Sequence, residues 1–190
     1  LSLGFLCIFW ELFFFFLFIT GQSRCFEIAS FGCVERVSRK CGKERFDMFT
    51  GIIRGLGNVK ELKELSEGRT FIVEPGFDVS DLKHGDSLAV NGTCLTVEEN
   101  HGDSVQLTAI RQTLSVTSLG DLEQGSQINL EPAACLGDPM GGHMVSGHVD
   151  GVCHVVSRTN VGTGAEIELE LAPGFAHLII EKGSITLDGV

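Results

Sequence analysis

The chain is short of positive charge: 14 Lys and Arg stand against 25 Asp and Glu, for a net charge of −11. The shortage lies in residues 48–190, which hold eight basic and twenty acidic residues, whereas residues 1–47 are almost balanced. A body that acidic repels a phosphate backbone, which argues against nucleic acid as a partner. The charges are dispersed rather than blocked, as on a solvated globular surface. C-x-x-C pairs are also lacking among the seven cysteines. An odd count without framework spacing points to reduced thiols and a cytosol-like compartment. His143, His148 and His154, with Cys135 and Cys153, match no standard zinc spacing, so no metal site is expected. Long amphipathic helical patterns are missing too. His84, His101 and His177 fall in turns or amphipathic segments and read as surface residues.

What the chain has is a repeat. Met48-Phe49-Thr50-Gly51-Ile52-Ile53-Arg54-Gly55 returns as Met144-Val145-Ser146-Gly147-His148-Val149-Asp150-Gly151, 96 positions on. Ser87-Leu88-Ala89-Val90-Asn91-Gly92 returns as Ser184-Ile185-Thr186-Leu187-Asp188-Gly189, and Pro75-Gly76-Phe77 as Pro173-Gly174-Phe175. Three collinear matches at nearly one offset mark a duplicated unit of domain size, too long for a solenoid. The expected organisation is an extension at 1–47, a first unit with its linker at 48–143, and the first half of a second unit at 144–190. On this reading the sequence stops within the second copy.

Residues 1–19 are almost wholly apolar, interrupted by Glu11. A secretory signal needs a basic segment ahead of such a run, and none precedes it. As a membrane anchor the run would carry Glu11 near its middle, where a carboxylate is costly. Phe13 to Phe16 is what a pyrimidine-rich untranslated tract would encode, and Met48 then reads as the natural start. An organelle-targeting extension is the alternative. On either reading, residues 1–47 share no repeat and are expected to add nothing to the fold.

From Met48 onward, strand signals dominate. They fall at 51–62, 70–73, 87–90, 94–98, 104–109 and 127–130, with a short helix at 113–119. Asn91-Gly92 is a strong hairpin signal. Six short strands, with turns every 8–12 residues, indicate a small closed β-barrel, since closure removes exposed edges. The second copy repeats the pattern at 147–158, 166–171 and 184–187, with a helical turn near 176–180.

Three stretches carry a family resemblance. Met48-Phe49-Thr50-Gly51-Ile52, Asn91-Gly92-Thr93-Cys94-Leu95-Thr96-Val97, and the run from Gly141-Gly142-His143 through Ser146-Gly147-His148 to Gly151 resemble the trimeric two-barrel riboflavin synthases. The likeness covers residues 48–190. It implies tandem six-stranded Greek-key barrels, all-β, with the second incomplete here. It also implies dismutation of two 6,7-dimethyl-8-ribityllumazine molecules to riboflavin and a ribitylamino-pyrimidinedione, without metal or organic cofactor. Further implications are a homotrimer and a cytoplasmic enzyme, or one in an organelle stroma if 1–47 is a targeting extension. Non-catalytic lumazine- or flavin-binding proteins share the fold and are the competing class.

Carried over residue by residue, the family's pocket falls on Thr50, Gly51, Ile52 and Ile53, and on Thr93, Cys94, Leu95 and Thr96. It also takes in Thr108, Ala109, Ile110, Arg111, Gln112 and Thr113, then Ser146, Gly147, His148 and Val149, and finally Lys182. Backbone groups of Gly51 and Leu95 are expected at the pyrimidine edge, and hydroxyls of Thr50, Thr96 and Thr113 at the ring or ribityl chain. Cys94 and His148 are the candidate catalytic residues. Cys94 reads equally as a small buried hydrophobe. His148 replaces Ile52 of the first copy, and such a difference suits a reaction in which one ligand gives and its twin receives. Lys182 matches a family position at the ribityl chain, against the plainer reading of a solvated turn lysine. The Ser and Thr expected just beyond Val190 fall outside the sequence, so this chain alone is expected to bind lumazine without turning it over.

Overall fold

The computed structural model describes residues 25–29, 48–135, 137–171 and 174–190. The apolar run at 1–19 and its competing readings lie outside the described residues. In chain order the strands are β1 (Cys25–Ala29), β2 (Met48–Phe49), β3 (Gly55–Leu65), β4 (Gly68–Pro75), β5 (Ser87–Val90), β6 (Thr93–Asn100) and β7 (Val105–Ile110). A single turn of helix, α1 (Arg111–Val116), leads through a 3₁₀ turn at Ser118–Asp121 to β8 (Gln127–Pro132). The second copy supplies β9 (Val145–Ser146), β10 (Gly151–Val161), β11 (Gly164–Leu171), a 3₁₀ turn at Ala176–Leu178, and β12 (Thr186–Leu187). No helix among the described residues is long and apolar enough to cross a membrane.

Six strands close into a barrel in the order β3-β4-β7-β6-β5-β8. Period-2 alternation aims Phe71 and Val73 of β4, Leu95 and Val97 of β6, Val105 and Leu107 of β7, and Ile128 and Leu130 of β8 into one core. Burying each such side chain contributes about 1.5–3 kcal/mol. Leu119 and Leu122, on the 3₁₀ turn and just after it, join the same core. The turn at Asn91-Gly92 holds both residues at positive φ (48° and 85°), as the hairpin signal required. The first barrel strand, β3, begins at Gly55 rather than Gly51, because Gly51 sits at φ 73° in a turn that re-aims the chain.

The second copy repeats this construction in detail. The β3–β4 hairpin carries a bulge between Val59 and Glu61, and the β10–β11 hairpin carries one between Val155 and Ser157. A bulge at the same place bends both hairpins alike. Asp188 and Gly189 repeat the positive φ values of Asn91 and Gly92, at 48° and 86°. The copies touch through β2 and β9, which pair Met48 with Ser146 and Phe49 with Val145. Their hairpin turns also meet back to back, with Gly92 and Gly189 backbones in contact and Asn129 Nδ2 donating to Asp188 O at 3.0 Å.

The expectation that residues 1–47 add nothing to the fold is corrected for Cys25–Ala29. This segment, β1, lies between β10 and β12 in a four-stranded sheet of order β11-β10-β1-β12. Repeat comparison passed over it because a ladder is made by backbone groups and alternation, which need no sequence identity.

Candidate functional site

One end of the barrel wall is split. The β6–β7 ladder runs from Asn100–Val105 to Val97–Leu107 and carries no pair beyond it. Thr93, Cys94, Leu95 and Thr96 therefore continue along β5 without laddering to Thr108, Ala109 and Ile110, which stay paired to β4. The pairing of these two segments thus ends at one end of an otherwise closed barrel.

The turn at Thr50-Gly51-Ile52 is organised by Glu131 on β8. Its carboxylate accepts from Thr50 N at 2.6 Å, Thr50 Oγ1 at 2.7 Å and Gly51 N at 3.2 Å. Thr50 Oγ1 in turn accepts from Ile52 N at 3.3 Å. Glu131 is only 4% exposed, and burial pushes its carboxyl above the ordinary value of 4.5. The bonds from Thr50 and Gly51 and the Arg54 guanidinium oppose that shift in part.

The second copy closes over the split. Gly147 O accepts from Cys94 N at 2.9 Å, on the side of β6 that β7 has left. A Cβ on Gly147 would overlap Cys94 Cβ and the Phe49 ring, so only glycine permits the approach. His143 N donates to Thr50 O at 3.0 Å, and Ile52 lies against Gly141 and Gly142. Ser146 Oγ accepts from His148 N at 3.1 Å and stands 3.3 Å from His148 Nδ1, repeating the turn that Thr50 makes with Ile52.

The structure thus brings together Thr50, Gly51, Ile52, Cys94, Ser146, Gly147 and His148. Ile53 packs beside Gly189 at the same junction, and half-buried Val149 leads on from His148. Thr93 and Leu95 are buried, Cys94 is half-buried and Thr96 is exposed. On β7, Thr108 Oγ1 bonds Thr70 Oγ1 at 2.9 Å, Ala109 is buried and Ile110 is exposed. Arg111 donates to Ser66 O, while the carbonyls of Gln112 and Thr113 accept from Ser115 and Thr117 within the short helix. Lys182 stands apart in an exposed left-handed turn at φ 63°, with no hydrogen bond or ion pair to these residues. Cys94, Cys135 and Cys153 form no disulfide among the described residues. Among the described residues no group of three or more His, Cys, Asp or Glu is placed to hold a metal ion.

The Thr50 hydroxyl and the Gly51 N–H both donate to the Glu131 carboxylate. Glu131 itself was missed. Its mark is a break in alternation: Leu130 and Glu131 are both buried, where a period of two buries only one.

Comparison with known proteins agrees with this architecture. The Lumazine binding domain family matches residues 50–133. The riboflavin synthase of Mycobacterium tuberculosis is 41% identical over 145 residues, covering 75% of this chain and 72% of that protein. The Bacillus subtilis riboflavin synthase is 36% identical over 143 residues, covering 75% and 66%. Among solved structures, LumP complexed with riboflavin superposes with a TM-score of 0.63 at 26% identity, covering 75% of this chain and 77% of that one. LumP complexed with 6,7-dimethyl-8-(1'-D-ribityl) lumazine gives 0.60 at 24%, a likeness of fold. The chain belongs to the riboflavin synthase family.

Proposed function

We propose that the split between β6 and β7, closed on one side by the Thr50–Ile52 turn and on another by the Gly147 loop, binds 6,7-dimethyl-8-ribityllumazine. The reaction served is transfer of a four-carbon unit between two such molecules, giving riboflavin and a ribitylamino-pyrimidinedione. The observation that carries this reading is the end of the ladder at Val97–Leu107. It ends the strand pairing at the place where the Thr50–Ile52 turn and the Gly147 loop meet β6, a polar-edged setting that suits a flat heterocycle. The apolar lining comes from Ile52 and the half-buried Cys94, and the ribityl hydroxyls find Thr96 and Thr113 near the rim. Cys94 is assigned a direct contact to the ring. His148 is assigned a proton-carrying role between the two ligands. Lys182 is assigned to the ribityl chain of the second ligand. The units are 48–143 and 144–190, in a cytoplasmic or stromal homotrimer. Exposed Ile110, Met144, Val156 and Ile180 leave apolar surface for neighbouring subunits.

A second reading is a lumazine- or flavin-binding protein without turnover. Its support is the likeness to LumP complexed with riboflavin. Amide shift mapping on titration with 6,7-dimethyl-8-ribityllumazine tests the site itself. Perturbations should concentrate at 50–53, 93–96 and 108–113. Saturable binding that leaves those amides unmoved would refute the placement.

A further inference from the structure

Residues 111–122 form a strap between β7 and β8 across one end of the first barrel. Its helix does not order itself. α1 has six residues, no side-chain N-cap and no fully buried residue, and isolated helices shorter than about 12–15 residues are marginal in water. Order comes from ties to the rest of the barrel. At the start, Arg111 N donates to Glu67 O at 2.9 Å, and the Arg111 guanidinium donates to Ser66 O. At the finish, Leu119 and Leu122 enter the core. Arg69 of β4 supplies the remaining tie. Its Nη1 donates to Gly120 O at 2.9 Å and to Leu122 O at 3.4 Å, and its Nε donates to Glu64 Oε1 at 2.5 Å. Alternation puts Arg69 on the face of β4 that carries Phe71 and Val73, and its side chain is only 19% exposed. Gly120 also lies against α1, since a Cβ there would stand 2.8 Å from Leu114 O. Arg69 thus grips the strap where it backs onto its own helix.

We propose that Arg69 is a positioning residue for the ligand, holding the strap so that 108–113 keeps its place beside the end of the β6–β7 ladder. This rests on the reading of that region as the lumazine site. Arg69 is assigned no contact to the ligand. It acts through Gly120 and Leu114 on α1, whose first turn carries Gln112 and Thr113. The repeat separates this role from simple closure of the hairpin. The β10–β11 hairpin has the same register and bulge as β3–β4, yet Asn160 and Ala165 hold the positions of Glu64 and Arg69. A hairpin of this kind therefore closes without the pair, and what the pair adds is the tie to the strap. One carboxylate and two carbonyls, met by two different nitrogens, call for a planar guanidinium fork. A lysine ammonium at the same position keeps the charge and loses the second donor atom.

The test compares Arg69→Met, Arg69→Lys and Val73→Ala in the full chain. Val73 is 0% exposed in the same strand and touches none of the strap ties, so its truncation lowers stability by a separate route. Fluorescence titration with 6,7-dimethyl-8-ribityllumazine reads affinity, hydrogen exchange reads the amides at 115–119, and circular dichroism reads the melting temperature. Arg69→Met should weaken binding about tenfold and speed exchange at 115–119 by a similar factor. Arg69→Lys should recover part of the affinity, to within about threefold of the native chain, and it carries the test if Arg69→Met does not fold. Val73→Ala should lower the melting temperature at least as far, with affinity within about twofold of native. Binding by the native chain with unchanged affinity in the Arg69 variants would overturn the proposal alone. So would unchanged exchange at 115–119, or an equal loss of affinity in Val73→Ala. No saturable binding by the native chain would instead overturn the reading of the site, and this proposal with it.

Discussion

Replacing Glu131 by Ala takes the acceptor from three donors at once: Thr50 N, Thr50 Oγ1 and Gly51 N. A buried donor left without a partner costs about 1–3 kcal/mol. Thr50 and Gly51 are half-buried, so water reaches part of the exposed set, and loss of an ionised buried carboxylate offsets some of the rest. The expected net cost is about 2 kcal/mol at neutral pH. Glu131→Gln keeps a carbonyl for Thr50 but turns an amide N–H₂ toward Gly51 N, so it should cost about half as much. The pH dependence has a definite sign. The folded carboxyl titrates above its ordinary 4.5, so the folded state binds more protons than the unfolded chain within that window. Stability associated with Glu131 is therefore complete below 4.5 and declines as pH rises through the elevated folded value. The gap between the native chain and either variant should widen as pH falls from neutral toward that range. Residues 48–190 contain neither Trp nor Tyr, so urea unfolding is followed by circular dichroism. A shift of about 1 M in midpoint is expected for Glu131→Ala. A shift below about 0.3 M, or a gap that narrows on acidification, would refute the reasoning.

Other expectations follow from the same contacts. Gly147→Ala should separate the loop from Cys94 and Phe49 at a cost of about 1–3 kcal/mol, with faster exchange of the Cys94 amide; an unchanged rate would contradict the contact. Residues 48–135 expressed alone should give a β-type spectrum and a cooperative melt, because their main core draws on no residue beyond Leu130. A chain that stays unfolded would show that contacts from the second copy are required.

The barrel was legible because its strands alternate cleanly and its turns carry Asn-Gly and Pro-Gly signals. The repeat was legible because the glycines that the geometry demands recur at nearly one spacing, at Gly51 and Gly147, and at Gly92 and Gly189. The pocket segments were legible through resemblance, whereas their local cause was not. Glu131 acts across the barrel on residues 81 positions away in sequence, and no local pattern announces a bond of that span. The end of the β6–β7 ladder is likewise invisible, since Thr93 to Thr96 read as an ordinary strand. Cys25–Ala29 escaped because five residues of weak alternation beside an apolar run look like part of an unrelated extension. Its role depends on the edges it meets.

Binding measured on the 190-residue chain itself tests the central claim most directly. Purified chain is titrated with 6,7-dimethyl-8-ribityllumazine, ligand fluorescence reports binding, and riboflavin formation is followed in the same cuvette. One closed barrel with its split wall intact should take up one equivalent of lumazine. No saturable binding would contradict the assignment of the split as the ligand site.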